Sequence, residues 1–156
     1  MTTERDIIVA LHDYFSLIRP PSFPDQWVRA EQVQYNGRRA DFMALQRSTW
    51  LMPRLHMVEV KTVRSDWIRE LQDPDKSGVF IDGGVDFVWL AAPPQVATVA
   101  ELPPGWGFLI FDQGKVRAKR KAQILTTVNI PWNRQLVSGF VRGIVRTGEK
   151  TSSSTT

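Results

Sequence analysis

The chain has 156 residues, a formal net charge of +4, 42% apolar and 23% charged residues, which is the balance of a globular domain able to bury a core without crosslinks. The absence of cysteine excludes disulfides, thiolate metal sites and thiol nucleophiles, and two histidines, His12 and His56, are too few for a histidine-rich zinc site. The longest uncharged run, 87–100, is too short to span a bilayer, and charges near the N-terminus interrupt any secretory signal, so we expect a cytoplasmic protein without a membrane segment.

The first third of the chain predicts one helix followed by a β-hairpin. Thr3 and Asp6 match a capping box, and the apolar residues that follow recur at helical spacing, which predicts a helix over 4–18. Asn36-Gly37 is a strong signal for a two-residue hairpin turn. The two strands that this turn joins are predicted over 27–34 and 38–45.

The rest of the chain predicts strands alternating with short helices, while residues 75–85 are ambiguous. The predicted elements are strands over 55–62, 86–92, 106–111 and 115–121, a helix over 65–71 capped by Ser65, and a helix over 132–146 weakened by Gly139 and Gly143. This order predicts an α/β fold with a mixed central sheet flanked by helices. We expect one domain over 1–147, with its core over 27–121 and a basic strand and C-terminal helix over 115–147, and a disordered tail over 148–156.

Positive charge is concentrated near the C-terminus. Residues 115–150 contain nine lysines and arginines against one acid, Glu149, whereas residues 1–114 contain eleven bases and fifteen acids. This asymmetry favours a polyanion partner such as DNA, although a solvated basic face is the simpler explanation. The residues of the predicted basic strand that we expect to contact a nucleic-acid backbone are Lys115, Arg117, Lys119, Arg120 and Lys121.

Two acids and a lysine fall at suggestive positions on the second and third predicted strands. Side chains alternate across a strand, so Glu59 and Lys61 share one face of a mostly apolar segment. Burying charges there costs several kcal/mol unless they are paired or bind a metal. Asp41 of the preceding strand meets Glu59 if the two strands are neighbours, and two such carboxylates suit Mg²⁺ or Mn²⁺. A solvent-facing charge pair is the competing interpretation of Glu59 and Lys61.

These residues resemble the core motif of the PD-(D/E)XK nuclease superfamily. Ala40-Asp41 stands in the place of the "PD", and Glu59-Val60-Lys61 in that of the "(D/E)XK". The longer pattern over 27–121 is similar to the MmcB-like DNA-repair branch and to small phage-encoded nucleases. The proline of the "PD" is missing, and the glutamine-tyrosine helix motif of the RecB-like exonucleases is not visible.

The resemblance implies a restriction-endonuclease-like core and metal-dependent hydrolysis of DNA in repair, recombination or phage DNA processing, in a bacterial or phage-infected cell. It implies Asp41, Glu59 and the Val60 carbonyl as ligands of Mg²⁺ or Mn²⁺, Lys61 as the catalytic lysine, and Glu31 as an additional upstream acid. Arg38, Arg39 and Arg64 flank the site and are candidates for phosphate contacts, with ordinary surface charge as the alternative.

Several assignments stay open at this point. A non-catalytic DNA-binding or assembly module on the same fold, and an RNA-directed nuclease, are alternative functions. The 132–146 helix is a possible homodimer face. Trp50 is a candidate for stacking on bases, whereas Trp67, Trp89 and Trp106 lie in apolar runs and are expected in the core. The sequence gives no chemical role to Asp73 or Lys76.

Overall fold

Six strands and four α-helices are present in the computed structural model, which describes residues 1–17, 27–46, 53–126 and 132–153. The elements are α1 (Glu4–Leu17), β1 (Trp27–Tyr35), β2 (Arg38–Gln46), β3 (Arg54–Val60), α2 (Arg64–Leu71), α3 (Asp75–Asp82), β4 (Phe87–Ala92), a 3₁₀ turn (Val99–Glu101), β5 (Gly107–Asp112), β6 (Lys115–Arg120) and α4 (Arg134–Ser153). The ambiguous segment over 75–85 is therefore mostly helical. Trp50 lies outside the described residues, as does residue 18, the predicted end of the first helix.

The strands form one mixed sheet in the order β1-β2-β3-β4-β5-β6. β1, β2 and β3 are antiparallel neighbours, β3, β4 and β5 run parallel, and β6 is antiparallel to β5. Asn36 and Gly37 have the positive φ angles, 51° and 75°, that suit a two-residue hairpin turn. The predicted α/β class, with a mixed sheet flanked by helices, is confirmed; the restriction-endonuclease-like core stays a prediction.

One face of the sheet is covered by α1. Its capping box forms, because the Asp6 N–H donates to Thr3 Oγ1 at 3.1 Å and the Thr3 N–H donates to Asp6 Oδ2 at 2.8 Å. Leu11 and Phe15 are buried in a cluster that includes Phe42 of β2. The apolar stripe predicted from helical spacing therefore faces the sheet.

The opposite face is covered by α2, α3 and α4, with the segment over 93–106. Trp67 of α2 and Phe80 of α3 are fully buried there, and Trp106 is 5% exposed. Helices α2 and α3 form the crossover connection between the parallel strands β3 and β4. They therefore begin next to the C-terminal end of β3.

The N-terminus of α2 differs from the prediction. The helix begins at Arg64, its N-cap residue is Val63 in extended conformation, and no side chain caps it. Ser65 is therefore inside the first turn, and its predicted role as the cap is wrong. The guanidinium of Arg64, the first residue of the helix, donates hydrogen bonds to Glu101 at 2.6 Å and to the Val96 carbonyl at 3.0 Å.

Helix α4 approaches β1 very closely. A Cβ atom on Gly139 would collide with the carbonyl oxygen of Gln34, and one on Gly143 would lie 2.8 Å from that of Glu31. These two glycines weaken helix propensity, yet they are what allows the helix to reach the strand. Leu136 is fully buried in the same contact.

Two boundaries of α4 correct the sequence prediction. The helix starts at Arg134 and continues to Ser153, so both the predicted end at 146 and the predicted disorder over 148–153 are wrong. Extending a helix that packing has already nucleated adds a backbone hydrogen bond for each residue fixed, which explains the longer helix. Residues 154–156 lie outside the described part of the chain.

The outward surface of α4 is the one on which we predict a homodimer. Val137 and Val141 are 41% and 50% exposed there, beside an apolar groove of about 230 Å³ between the helix and the sheet. Arg134 and Arg142 are exposed on the same helix. The homodimer stays a prediction.

His56 lies in the α1 face of the sheet, away from the acids of β2 and β3. It is 8% exposed, its Nδ1 accepts a hydrogen bond from Trp89 Nε1 at 3.0 Å, and its ring stacks on Phe87 at 4.4 Å between centroids. Burial lowers the pKa of His56 to about 4, against a small opposing effect of Asp86. His56 is thus a neutral core residue, as the sequence suggested.

The low pKa of His56 makes stability depend on pH. Between pH 6.5 and about 4 the unfolded chain takes up a proton at His56 that the folded chain does not, so the free energy of unfolding falls as pH falls, by about 3 kcal/mol. We expect His56→Gln, which keeps a hydrogen-bond acceptor, to lack this part of the pH dependence. Urea unfolding of both proteins at pH 7 and pH 4.5 measures the difference, and equal losses in the two proteins would contradict the assignment.

Candidate active site

Asp41 and Glu59 are brought side by side by the pairing of β2 with β3. Phe42 lies opposite Val58 and Met43 opposite Met57, so the next position in the same register sets Asp41 beside Glu59. Their residues are 6% and 0% exposed. The predicted meeting of the two carboxylates on neighbouring strands is thus present in the structure.

The two oxygens of Glu59 have different surroundings. Oε2 accepts a hydrogen bond from Lys76 Nζ at 2.8 Å, whereas Oε1 is buried and has no hydrogen-bond partner among the described residues. Burial raises the pKa of Glu59 well above its ordinary value, the charge of Asp41 raises it further, and Lys76 opposes both. A buried carboxylate oxygen with no partner is costly, and it marks a position where a cation or a donor would be stabilised.

Asp41 is oriented by the backbone of the neighbouring strand. Its Oδ2 accepts a hydrogen bond from the Val60 N–H at 2.9 Å, and its Oδ1 lies 3.7 Å from the guanidinium of Arg39. The peptide of Val60 therefore lies against this carboxylate. The Val60 carbonyl as a metal ligand stays a prediction.

Lys61 leaves the end of β3 on the same side as Glu59. Its N–H extends the ladder with β4 by one bond, to the Ala91 carbonyl at 3.1 Å, and its Nζ lies 3.1 Å from Oε2 of Glu70. The other oxygen of Glu70, Oε1, lies 3.5 Å from Nζ of Lys76. Since Lys76 also binds Glu59, the side chains of Glu59 and Lys61 converge on the same pair of helical residues, as alternation along the strand predicts.

Asp41, Glu59, Lys61, Glu70 and Lys76 form one cluster of charged side chains. The sequence analysis assigned no role to Glu70 or Lys76. The spacing of each from a buried aromatic residue nevertheless indicates which face of its helix it lies on. Glu70 is three residues after the buried Trp67 in α2, and Lys76 is four residues before the buried Phe80 in α3. These spacings place both side chains on the buried faces of their helices.

Lys61, Glu70 and Lys76 form the floor of an open cleft of about 700 Å³ between the β1–β2 turn and the α2–α3 pair, whereas Asp41 and Glu59 are buried and do not line it. Arg38 of the hairpin donates to Oδ2 of Asp73 at 2.6 Å, which joins the two walls and gives Asp73 a structural role. The residues that line the cleft are Gln34, Gly37, Arg38, Arg39, Lys61, Asp66, Arg69, Glu70, Asp73 and Lys76.

Glu31 does not join this site. It pairs with Phe42 in the β1–β2 register and faces α1, where its carboxylate lies 2.6 Å from Arg5 and 2.9 Å from His12. Hydrogen bonds from His12 and Arg5, with their charges, lower the pKa of Glu31 to about 2 against the effect of burial. The expectation that Glu31 supplies a further acid at the site is wrong, because the carboxylate is on the other side of the sheet.

The remaining predicted phosphate contacts lie in three different places. Arg38 and Arg39 line the cleft, whereas Arg64 is turned toward Glu101 and does not. The basic strand β6 is exposed at the edge of the sheet, four strand positions from β2, which corresponds to about 19 Å. A contact of β6 with a nucleic-acid backbone therefore stays a prediction, and it requires a ligand that extends well beyond the cleft.

Comparisons with known proteins identify one structure with a similar fold. The sequence matches no protein-family profile and no curated protein. The structure resembles a solved protein of unknown function from Silicibacter pomeroyi, with a TM-score of 0.61 at 18% sequence identity, over 99% of this chain and 91% of that chain. At 18% sequence identity, this structural similarity shows a shared fold. It gives no information on which chemistry the residues of the cleft perform.

The donor set suits a hard cation held by two protein ligands. Within the described residues, no group of three or more His, Cys, Asp or Glu side chains converges as a metal site. Mg²⁺ commonly takes only one or two carboxylates and completes its shell with water and substrate phosphates. Asp41 and the unpartnered Oε1 of Glu59 fit that requirement.

Among the residues that the structure describes, no helix is both long enough and apolar enough to cross a membrane.

Proposed function

We propose that this chain is a metal-dependent nuclease that hydrolyses DNA phosphodiester bonds in the cleft between the β1–β2 turn and α2–α3. One observation carries the proposal: the fully buried Glu59 has an oxygen that no group in the described part of the chain satisfies, next to a second buried carboxylate, Asp41. Buried acids of this kind are expensive unless a cation or a chemical role compensates for them. The proposed setting is DNA repair, recombination or phage DNA processing in the cytoplasm of a bacterial or phage-infected cell.

The roles of the residues follow from their positions. Asp41 and Glu59 would hold Mg²⁺ or Mn²⁺, which would supply stabilisation of phosphate charge and acidify an attacking water. Lys61, at the end of β3 and 16% exposed, places an ammonium at the cleft floor, where charge develops on the attacked phosphate. Arg38 and Arg39, at the rim, are suited to hold flanking phosphates of the substrate.

A second candidate function also has an observation in its favour. Lys61 forms an ion pair with Glu70, and Lys76 forms one with Glu59. These four charges neutralise one another, as they would in a purely structural network. This arrangement favours a non-catalytic DNA-binding or assembly module on the same fold.

A cleavage assay on labelled DNA separates the two candidates. We expect cutting of at least one DNA form, among single strands, duplex ends, flaps and junctions, with Mg²⁺ or Mn²⁺ and none with chelator. The same assay with labelled RNA tests the RNA-directed alternative. Salt-sensitive DNA binding without cleavage of any substrate, under either metal, would contradict the nuclease and support the binding module.

A further inference from the structure

An alternating chain of four charges runs from the buried Glu59 to the floor of the cleft. Oε2 of Glu59 lies 2.8 Å from Nζ of Lys76, that nitrogen lies 3.5 Å from Oε1 of Glu70, and Oε2 of Glu70 lies 3.1 Å from Nζ of Lys61. Both lysine side chains are 16% exposed and Glu59 is 0% exposed. The network is therefore largely shielded from water, and its charges interact more strongly than surface ions do.

The ammonium of Lys76 lies where the field of the site attracts a cation. It contacts Glu59 and Glu70 directly, and Asp41 is near enough for its charge to act on Lys76 as well. A divalent ion bound between Asp41 and Glu59 would be drawn by the same carboxylates and repelled by the ammonium. Lysine is suited to such a position because its charge is compact and its stem has four flexible carbons.

We propose that Lys76 competes with the divalent cation for the negative charge of Glu59: its ammonium pairs with Oε2 of this carboxylate, and a metal bound there would displace it toward Glu70. The inference rests on the proposed metal site. Glu70 can accept the displaced ammonium, because its Oε1 is already 3.5 Å from Nζ of Lys76. Lys76 thus sets the metal affinity of the site, and Glu70 determines how easily the lysine gives way.

The two positions predict opposite effects on the binding of Mn²⁺ to the full chain. Lys76→Met removes the competing charge and is expected to tighten binding about tenfold, because the ammonium would no longer repel a cation held by the carboxylates it contacts. Glu70→Gln deprives Lys76 of its alternative partner and is expected to weaken Mn²⁺ binding several-fold. Arg142→Met, an exposed change of the same charge on α4, is the matched control and should leave the affinity unchanged.

Isothermal titration with Mn²⁺ measures these affinities, and the metal-induced rise in melting temperature gives a second readout for any variant that is less stable, since a ligand that binds only the folded state stabilises it. Tighter binding by Lys76→Met together with weaker binding by Glu70→Gln supports the competition. Weaker or equal binding by Lys76→Met overturns it and assigns the lysine a role in orienting Glu59. If metal-dependent cleavage by the wild-type chain persists in that case, only the competition is wrong; if no protein binds Mn²⁺ and none cleaves DNA, the proposed nuclease is wrong as well.

Discussion

Replacing Lys61 by alanine is expected to lower DNA cleavage by about 10²- to 10³-fold, the range observed when one preorganised electrostatic donor is removed from an active site. The fold should persist, because Lys61 follows the last residue of β3 and its partner Glu70 keeps a contact with Lys76. Binding of DNA should change little, since phosphate contacts are spread over other basic residues. Single-turnover cleavage and equilibrium binding, measured at one salt concentration, test both parts.

Glu31→Gln is the matched control for this prediction. Glu31 is a buried acid like Glu59, but it faces α1 and contacts Arg5 and His12. We expect this variant to be less stable and to cleave at the wild-type rate when folded. A drop in cleavage equal to that of Lys61→Ala would mean that activity follows stability and that the cleft has no special role.

Replacing Lys76 by methionine is expected to lower the free energy of unfolding by about 3 kcal/mol at pH 7 in metal-free buffer. The change leaves Glu59 buried without its ion-pair partner, and removing one member of a buried pair costs about 3–5 kcal/mol.

The pH dependence of the Lys76→Met variant has a definite sign. Burial and Asp41 already raise the pKa of Glu59, and losing Lys76 removes the main opposing effect. An acid whose pKa is higher in the folded state stabilises the fold at low pH and loses that contribution as pH rises. The deficit of Lys76→Met should therefore be smaller at pH 5 than at pH 7 in urea unfolding.

Adding Glu59→Gln to Lys76→Met should restore most of the lost stability, because the neutral amide carries no uncompensated charge. Failure of the double variant to recover, with Lys76→Met itself destabilised equally at both pH values, would show that lost packing of the lysine stem causes the effect rather than the charge of Glu59.

The sequence contained enough information to predict the sheet around the site, since local rules and tertiary structure agree there. The Asn36-Gly37 turn fixes the hairpin, and the apolar run of β3 demands burial on both faces, so Asp41 and Glu59 can be predicted as neighbours. Glu70 and Lys76 were missed because their helices are short and the ends of α3 were ambiguous, although their spacing from Trp67 and Phe80 marks the buried faces.

The error at Glu31 has a physical cause in the register of the hairpin. Glu31 lies opposite Phe42, and cross-strand partners share a face, so both side chains face α1. Asp41 is the neighbour of Phe42 on β2 and therefore faces the other side of the sheet. Counting back from the Asn36-Gly37 turn gives this register, so the sequence held the information that excludes Glu31 from the site.

The cationic strand at the sheet's margin also affects how separate molecules meet. Within the described chain, β6 ends the sheet, and a terminal strand exposes amide and carbonyl groups that invite cross-molecular strand addition. When two β6 strands pair, the exposed Lys115, Arg117 and Lys119 of one would face basic residues of the other, and this repulsion opposes aggregation. The same positive charges that suit a nucleic acid thus oppose pairing of β6 with a second copy of the chain.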